Sequence, residues 1–256
     1  SPVLGNNDLT VTISNVNGVS TDDNASDDSK VISINPIVPA EGKMVVGEEA
    51  TGTWCQWCPR GAVYMDLFEE QYGDYWVGIA VHNGDPMTDV VYDTGIGGSI
   101  GGYPSALVDR GVDVDPSAMN ADFLDRLLTA PAGVLVNGAN WDPVSRVLDV
   151  SVKSTFSQAV TNSYKLACAL TEDAVTGTDA GYNQSNAYAG GGNGVMGGYE
   201  SLPSSVPAAQ MVYDHVARSI VPSFEGSSIS FPANVNAGES VISNYSFTLP
   251  ADWDEN

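Results

Sequence analysis

The chain has 256 residues, 43% of them hydrophobic, which is enough material for one or two globular domains. It carries 9 Lys and Arg against 32 Asp and Glu, a formal net charge of −23. That charge disfavours nucleic acids and anionic membrane surfaces as partners, and it suits an exported protein that self-repulsion keeps soluble. The sequence contains no run of 18 apolar residues, so no transmembrane helix is predicted. The oligomeric state is not readable from the composition.

Residues 1–38 are predicted to be a β-strand segment, because DLTVTISNV and KVISINPIV both alternate apolar and polar residues. Two strands alone are marginally stable, so they belong to an Ig-like β-sandwich that begins upstream or pack on the next domain. The acidic residues between them, Asp22, Asp23, Asp27 and Asp28, offer oxygens of the kind that calcium binds. Their spacing is not that of an EF-hand, and a solvated hairpin loop is the preferred interpretation.

Residues 39–130 alternate strand and helix patterns and predict a small α/β domain. A strand over 45–51 is followed by a small-residue turn and by a helix whose core-facing stripe is Val63, Leu67 and Phe68. The apolar run 74–81 predicts a buried strand parallel to the first. Helices are expected at 86–93 and 116–129, with a short strand over 106–108 between them.

Residues 131–256 read as successive strands and predict a β-sandwich. A short helix is a further possibility over 208–220. Residues 177–207 form a long segment rich in Gly, Asn, Ser and Tyr, and segments of that length inside a domain are usually functional or disordered. The last predicted strand ends close to Asn256, which leaves open a sandwich that continues further.

Two of the three cysteines, Cys55 and Cys58, form a C-x-x-C pair where the first α/β strand gives way to its helix. The positive end of a helix dipole stabilises a thiolate, so Cys55 is the candidate nucleophile and Cys58 the resolving thiol. No second C-x-x-C or His pair completes a zinc site. The third cysteine, Cys168, alternates with leucines and is expected to be a core thiol.

The motif TGTWCQWCPRG, followed by GGYPSALVDRG, resembles the thioredoxin superfamily. The resemblance implies an active-site pair at Cys55 and Cys58, a buried acid at Glu49 and a cis-proline at Pro104. A carboxyl in an apolar strand has a raised pKa, which suits transfer of the Cys58 proton. Strand alternation alone leaves open whether Glu49 or its neighbour Glu48 points inward.

The fuller pattern GEEATGTWCQWCPRGA, IAVHNGDPM and GYPSALVDR, with ALTEDAVTG and VYDHVAR, resembles the Omp28-related proteins of Bacteroidetes envelopes. This resemblance covers residues 43–250. It implies a thioredoxin-like domain followed by a β-sandwich in an exported protein of the periplasm, the outer membrane surface or the extracellular space.

Several residues near the cysteines have both a functional and a structural interpretation. Trp57, and less clearly Trp54, would present an aromatic docking surface, beside which Tyr103 would lie. Arg60 would lower a thiolate pKa or pair with Glu69 or Glu70. His82 follows the second strand and approaches the same sheet edge, though a structural histidine is favoured there.

His215 follows a second-half strand pattern and is read as structural. Two functions are open. The first is an envelope thiol–disulfide oxidoreductase that exchanges with protein thiols or disulfides through Cys55 and Cys58 and needs no cofactor besides that disulfide. The second is a non-catalytic surface binding or structural protein on the same scaffold.

Overall fold

The computed structural model describes residues 7–19, 24, 26–34, 36–161, 164–251 and 253. The chain divides into two compact units, residues 1–40 and 41–256. Among the described residues the strands are β1 (Asn7–Thr12), β2 (Ser29–Ile34), β3 (Val45–Thr51), β4 (Trp76–His82), β5 (Ser105–Val108), β6 (Asp113–Val114), β7 (Gly133–Asp142), β8 (Val147–Phe156), β9 (Val160–Thr161), β10 (Cys168–Glu172), β11 (Gln184–Ser185), β12 (Ser205–Val206), β13 (Val216–Val221), β14 (Asn234–Val235) and β15 (Ser240–Thr248). The α-helices of that part are α1 (Pro59–Tyr72), α2 (Val90–Gly97) and α3 (Met119–Leu127).

The first unit contains the two predicted N-terminal strands as an antiparallel pair. Strand β1 pairs with β2 over the whole length of both, from Asn7 opposite Ile34 to Thr12 opposite Ser29. Of the acidic residues considered for calcium, Asp27 and Asp28 precede β2, and Asp22 and Asp23 lie outside the described residues.

The second unit is built on a mixed six-stranded sheet in the order β10-β13-β4-β3-β5-β6. Strands β3 and β4 are parallel, as predicted, with Val45 opposite Trp76 and Thr51 opposite His82. Strand β5 runs antiparallel to β3 on the other side. Strands β10 and β13 come from the part predicted as sandwich, so the two segments on either side of residue 130 contribute to one sheet.

A separate antiparallel sheet has the order β15-β8-β7. Its inner side chains Val150, Val152 and Phe247 form a core with Leu166, and Cys168 of β10 packs against this cluster. Cys168 is therefore a partly buried free thiol beside this core.

Three helix predictions need correction. Helix α2 spans Val90–Gly97 rather than 86–93, because Asp89 caps it by accepting the Tyr92 N–H. The third helix begins with a 3-10 turn at Pro116–Ala118 before α3. The segment 208–220 is a 3-10 turn at Ala208–Gln210 followed by β13, not a helix.

The mixed sheet is covered on both faces. Helices α1 and α3 cover one face through a cluster that includes Met65, Phe68 and Phe123. Helix α2 covers the other through a cluster that includes Tyr92 and Ile96. The buried residues of α1 are Pro59, Gly61, Met65 and Phe68, whereas the predicted Val63 and Leu67 are only half-buried. Strand β3 is therefore buried on both sides, and so are the side chains of its two glutamates.

Candidate redox site at the start of helix α1

The two cysteines lie in the turn between β3 and α1, as predicted. Cys58 is the N-cap of α1, and Pro59 occupies the first helical position. The Cys58 N–H donates to the Cys55 carbonyl at 3.2 Å, and the Gly61 N–H donates to the Cys58 carbonyl at 2.9 Å. The two sulfurs form a disulfide.

The disulfide is buried, with Cys55 4% and Cys58 2% exposed. Cys55, the candidate nucleophile, is therefore not open to solvent in the oxidised state, and its role as nucleophile stays a prediction.

Glu49, from the middle of β3, points toward α1 and is fully buried. Gly61 makes room for it, since a Cβ at that glycine would lie 1.6 Å from Glu49 Oε1. That oxygen accepts a hydrogen bond from no atom of the described residues. Burial raises the pKa of Glu49 to about 8, and a hydrogen bond from Thr51 and the charge of His215 oppose the rise.

Glu49 and Cys58 line one cavity of about 120 Å³. Its inner wall also includes His82, and its outer wall includes Asp66 and His215. The cavity therefore brings the Glu49 carboxyl, whose raised pKa favours its neutral form, together with Cys58 and two histidines around one space. Such an arrangement can hold and move a proton beside the resolving cysteine.

Glu48, the neighbouring residue of β3, is also buried but lies on the other face. Its Oε1 accepts a hydrogen bond from the Tyr92 hydroxyl at 2.6 Å. Arg110 Nε and Nη2 donate to its carboxylate at 3.0 Å. Both glutamates point inward, one to each covered face, so the choice between them posed by strand alternation does not arise.

Pro104 follows a cis Tyr103–Pro104 peptide bond and directly precedes β5. The Tyr103 ring meets the Trp54 ring edge-on, with 5.3 Å between centroids. Trp54 is 50% exposed and Trp57 37%, so Trp54 is the more open of the two, contrary to expectation. The Trp57 ring also packs edge-on, against Tyr188, with 5.7 Å between centroids.

His82 is buried and its Nδ1 lies 2.7 Å from Asp85 Oδ2. The same carboxylate oxygen accepts the Thr53 N–H at 3.0 Å, so this pair supports the turn that carries the cysteines. Arg60 pairs with Asp115, not with Glu69 or Glu70.

Residues 177–207, hereafter the strap, lie across the cysteine turn. The Ser185 N–H donates to the Thr53 carbonyl and the Ala187 N–H to the Gln56 carbonyl, both at 2.8 Å. The Gln184 side chain donates to the Cys55 carbonyl at 3.0 Å. The long segment singled out from composition is thus ordered and covers the disulfide.

Two residues of the site were missed by sequence reasoning. Gln184 sits in the strap, and no pattern in the sequence links it to Cys55. His215 was read as a structural residue of the sandwich, yet it precedes β13 of the mixed sheet and lines the Glu49 cavity. The sequence signal for His215 was the VYDHVAR motif. That motif was part of the resemblance to the Omp28-related proteins, but the resemblance implied no function for His215.

The fold and the site together define an α/β protein with a C-x-x-C disulfide at a helix start. The chain matches the family described as outer membrane protein Omp28 over residues 97–256, which is more than half of its length, and it belongs to that family. The matched region begins after the cysteine pair. Membership of this family indicates an envelope location.

Among solved structures, the chain is similar to HBP35 of Porphyromonas gingivalis, with 16% identity and a TM-score of 0.52. The alignment covers 83% of this chain and 66% of HBP35, so the chain spans just under two thirds of that protein. A protein from Agrobacterium tumefaciens aligns with 14% identity over 79% of this chain and 78% of its own, with a TM-score of 0.41. No curated protein matches the sequence. In the described part of the chain, no helix has the length and apolar character needed to cross a membrane.

Proposed function

We propose that this protein is a thiol–disulfide oxidoreductase of the cell envelope, exported to the periplasm, the outer membrane surface or the extracellular space. It exchanges with protein disulfides through Cys55 and Cys58 on a thioredoxin-like domain. The observation that carries the proposal is the buried carboxyl of Glu49 beside Cys58.

A disulfide that only stabilises the fold does not require a buried carboxyl such as that of Glu49. Burying a polar atom without a partner costs about 1–3 kcal/mol, and Glu49 Oε1 is in that condition. Exchange does need a proton beside Cys58, because the resolving sulfur alternates between thiolate and thiol. A carboxyl with a pKa of about 8 can give and take that proton near neutral pH.

The surrounding geometry supports the thioredoxin-like assignment. A strand, a C-x-x-C turn, a helix and a parallel strand follow one another from β3 to β4. A cis-proline then precedes a strand that is antiparallel to β3. These are the elements that the resemblance implied at Cys55, Cys58 and Pro104.

The exposed aromatic rings offer a place for a protein substrate. Trp54, Trp57 and Tyr103 stand around the cysteine turn, and aromatic side chains often anchor protein contacts. Because the strap covers the disulfide, exchange requires that the strap part from the turn first.

The reduction potential of the Cys55–Cys58 pair, together with turnover of a protein disulfide such as insulin, tests this function. A potential between about −120 and −270 mV, with turnover that Cys55→Ser abolishes and Cys168→Ser leaves intact, would support it. Cys168 serves as the control because it is a free thiol away from the site.

The second candidate is a non-catalytic binding or structural protein of the envelope. The burial of both sulfurs beneath hydrogen-bonded strap residues favours it. In that case the pair would have a potential below about −300 mV and insulin turnover would be absent.

A further inference from the structure

His215 is held in an unusual backbone conformation at the mouth of the Glu49 cavity. Its φ of 59° lies in the left-handed region, which is uncommon for a residue other than glycine. Its N–H donates to Asp173 Oδ1 and its carbonyl accepts the Ala80 N–H, both at 2.7 Å. Conformations of this kind persist where the surroundings enforce them and cluster at functional sites.

The His215 imidazole faces three surface carboxylates. Nε2 lies 3.6 Å from Asp66 Oδ1, and Nδ1 lies 3.4 Å from Glu69 Oε2 and 3.9 Å from Asp173 Oδ1. The side chain is 12% exposed. Gly78 of β4 lets it lie against the sheet, since a Cβ there would come within 3.3 Å of the ring.

The cavity joins this imidazole to the redox site. Its buried end is formed by Glu49 and Cys58, and its outer end by the exposed Asp66 and Asp214. A volume of about 120 Å³ has room for more than one water. The other titratable side chains that line the cavity or the outer face of His215 are His82, Tyr199, Tyr213 and Glu70.

We propose that His215, oriented by Asp66, relays protons between Glu49 and solvent during exchange. This inference rests on the proposed oxidoreductase function and assigns a role to a residue outside the C-x-x-C pair. The hydrogen bond to Asp66 and the charges of Glu69 and Asp173 raise the pKa of the imidazole against the opposing effect of its burial, so these carboxylates favour its protonated form.

In the direction of reduction, the electron donor is a dithiol, which the Cys55–Cys58 disulfide oxidises. A donor thiolate attacks Cys55 Sγ, the Cys55–Cys58 bond breaks, and Cys58 leaves as a thiolate that takes the proton of Glu49. Protonated His215 returns a proton to the Glu49 carboxylate and is itself reprotonated from solvent. The second donor thiol, as a thiolate, attacks the donor sulfur of the mixed disulfide and releases Cys55 as a thiolate. Oxidation by a disulfide runs through the same steps in reverse.

The variant His215→Asn tests the relay, because asparagine tolerates a positive φ better than most residues and has no titratable group. Reduction of the disulfide by dithiothreitol is followed by Trp fluorescence over pH 6–9 and normalised to the thiolate concentration. Below its pKa Glu49 already holds its proton, so we expect the variant to match the wild type there. Above that pKa His215 must first load Glu49, so the variant's rate should fall about 10²-fold, the low end for acid–base assistance, and imidazole in the buffer should restore it. Asp66→Asn should lower the pKa of His215 and shift the profile, whereas Asp125→Asn, at an exposed position of α3 that does not line the cavity, should leave the rate unchanged.

Three results with the His215→Asn variant overturn the relay. A His215→Asn rate equal to that of the wild type above the Glu49 pKa would remove His215 from proton transfer. A profile that only shifts to higher pH, with its plateau intact, would show that His215 acts by its charge alone. A slowed variant that imidazole fails to rescue would point to structural damage. If Glu49→Gln slows reduction while His215→Asn does not, the oxidoreductase proposal stands and only the relay fails; a wild-type disulfide that dithiothreitol does not reduce ends both.

Discussion

Glu48 and Glu49 are neighbours on β3, equally buried, and opposite in every other respect. On the α2 face, Glu48 is held by Tyr92 and Arg110, and the Arg110 guanidinium stacks over Phe224 at 3.8 Å. On the α1 face, Glu49 has an oxygen that no described residue contacts by hydrogen bond, and its pKa is raised to about 8.

The difference shows what burial alone does not say about a charged residue. A buried carboxylate with a cation and a donor around it is part of the architecture, and removing a partner is destabilising. A buried carboxyl with no cation hydrogen-bonded to it favours its neutral form, and its proton is available to a nearby group. One strand thus carries a structural glutamate and a candidate proton donor at consecutive positions.

The largest expected effect lies on the Glu49 side. Glu49→Gln removes the transferable proton with little change of shape, so the step in which Cys58 becomes or ceases to be a thiolate should slow by about 10²–10⁴-fold. Single-turnover kinetics followed by Trp54 and Trp57 fluorescence measure this step, and a urea titration checks that the fold is retained. Equal rates in the two proteins would remove Glu49 from the mechanism.

On the opposite face, the same chemical change should act on stability. Glu48→Gln breaks a buried ion pair and should lower the free energy of unfolding by about 3 kcal/mol, the low end for such pairs because the Arg110 side chain is 38% exposed. The control is Glu41→Gln, an exposed position where a change within about 0.5 kcal/mol is expected. A Glu48→Gln protein as stable as the control would contradict the structural role of the pair.

A third measurement separates the two glutamates by pH. Glu49 has a folded-state pKa of about 8 against 4.5 for an unperturbed group, so the native state binds the proton more tightly than the unfolded chain. Its contribution to stability is complete below pH 4.5 and is lost as the pH rises toward 8, with a slope of at most about 1.4 kcal/mol per pH unit.

The comparison of wild type with Glu49→Gln isolates this slope. The wild type should lose a few kcal/mol relative to the variant between pH 4.5 and 8, measured by denaturant unfolding at fixed ionic strength. Parallel stability curves would mean that Glu49 is ionised in the folded protein and that the contrast with Glu48 is smaller than its burial indicates.

Much of this site was readable from sequence because its parts are local. Cys55, Cys58 and Pro59 lie within one turn, and a thiol pair between a strand and a helix follows from hydrophobic periodicity. The parallel pairing of β3 with β4 follows from the short α/β connection. Glu49 and Pro104 needed the family resemblance, since nothing local distinguishes Glu49 from Glu48.

Contacts between residues far apart in the sequence could not be predicted from its patterns. The hydrogen-bonded residues Arg110 and Glu48 are 62 positions apart in the sequence, and Gln184 and Cys55 are 129 positions apart. The same limit explains the segment after residue 130, whose strand patterns were correct but whose partners were not: β10 and β13 join the sheet of β3 instead of staying with β7, β8 and β15. Strand periodicity reports a buried face and not which sheet buries it.

The smallest expected effect concerns the strap. Gln184→Ala removes the hydrogen bonds that its side chain donates to the Cys55 and Ser185 carbonyls, at 3.0 and 2.9 Å. A typical hydrogen bond contributes about 1 kcal/mol, and a loss of that size makes opening of the strap about fivefold more favourable. If opening precedes attack on Cys55, reduction by dithiothreitol should accelerate by the same factor, while Gln210→Ala, an exposed position outside the strap, should not change it. Hydrogen exchange at the Ser185 and Ala187 amides should rise in parallel with the rate, because both donate to carbonyls of the cysteine turn. Faster exchange without faster reduction would mean that the disulfide reacts beneath a closed strap, through the aromatic side of the turn at Trp54 and Tyr103.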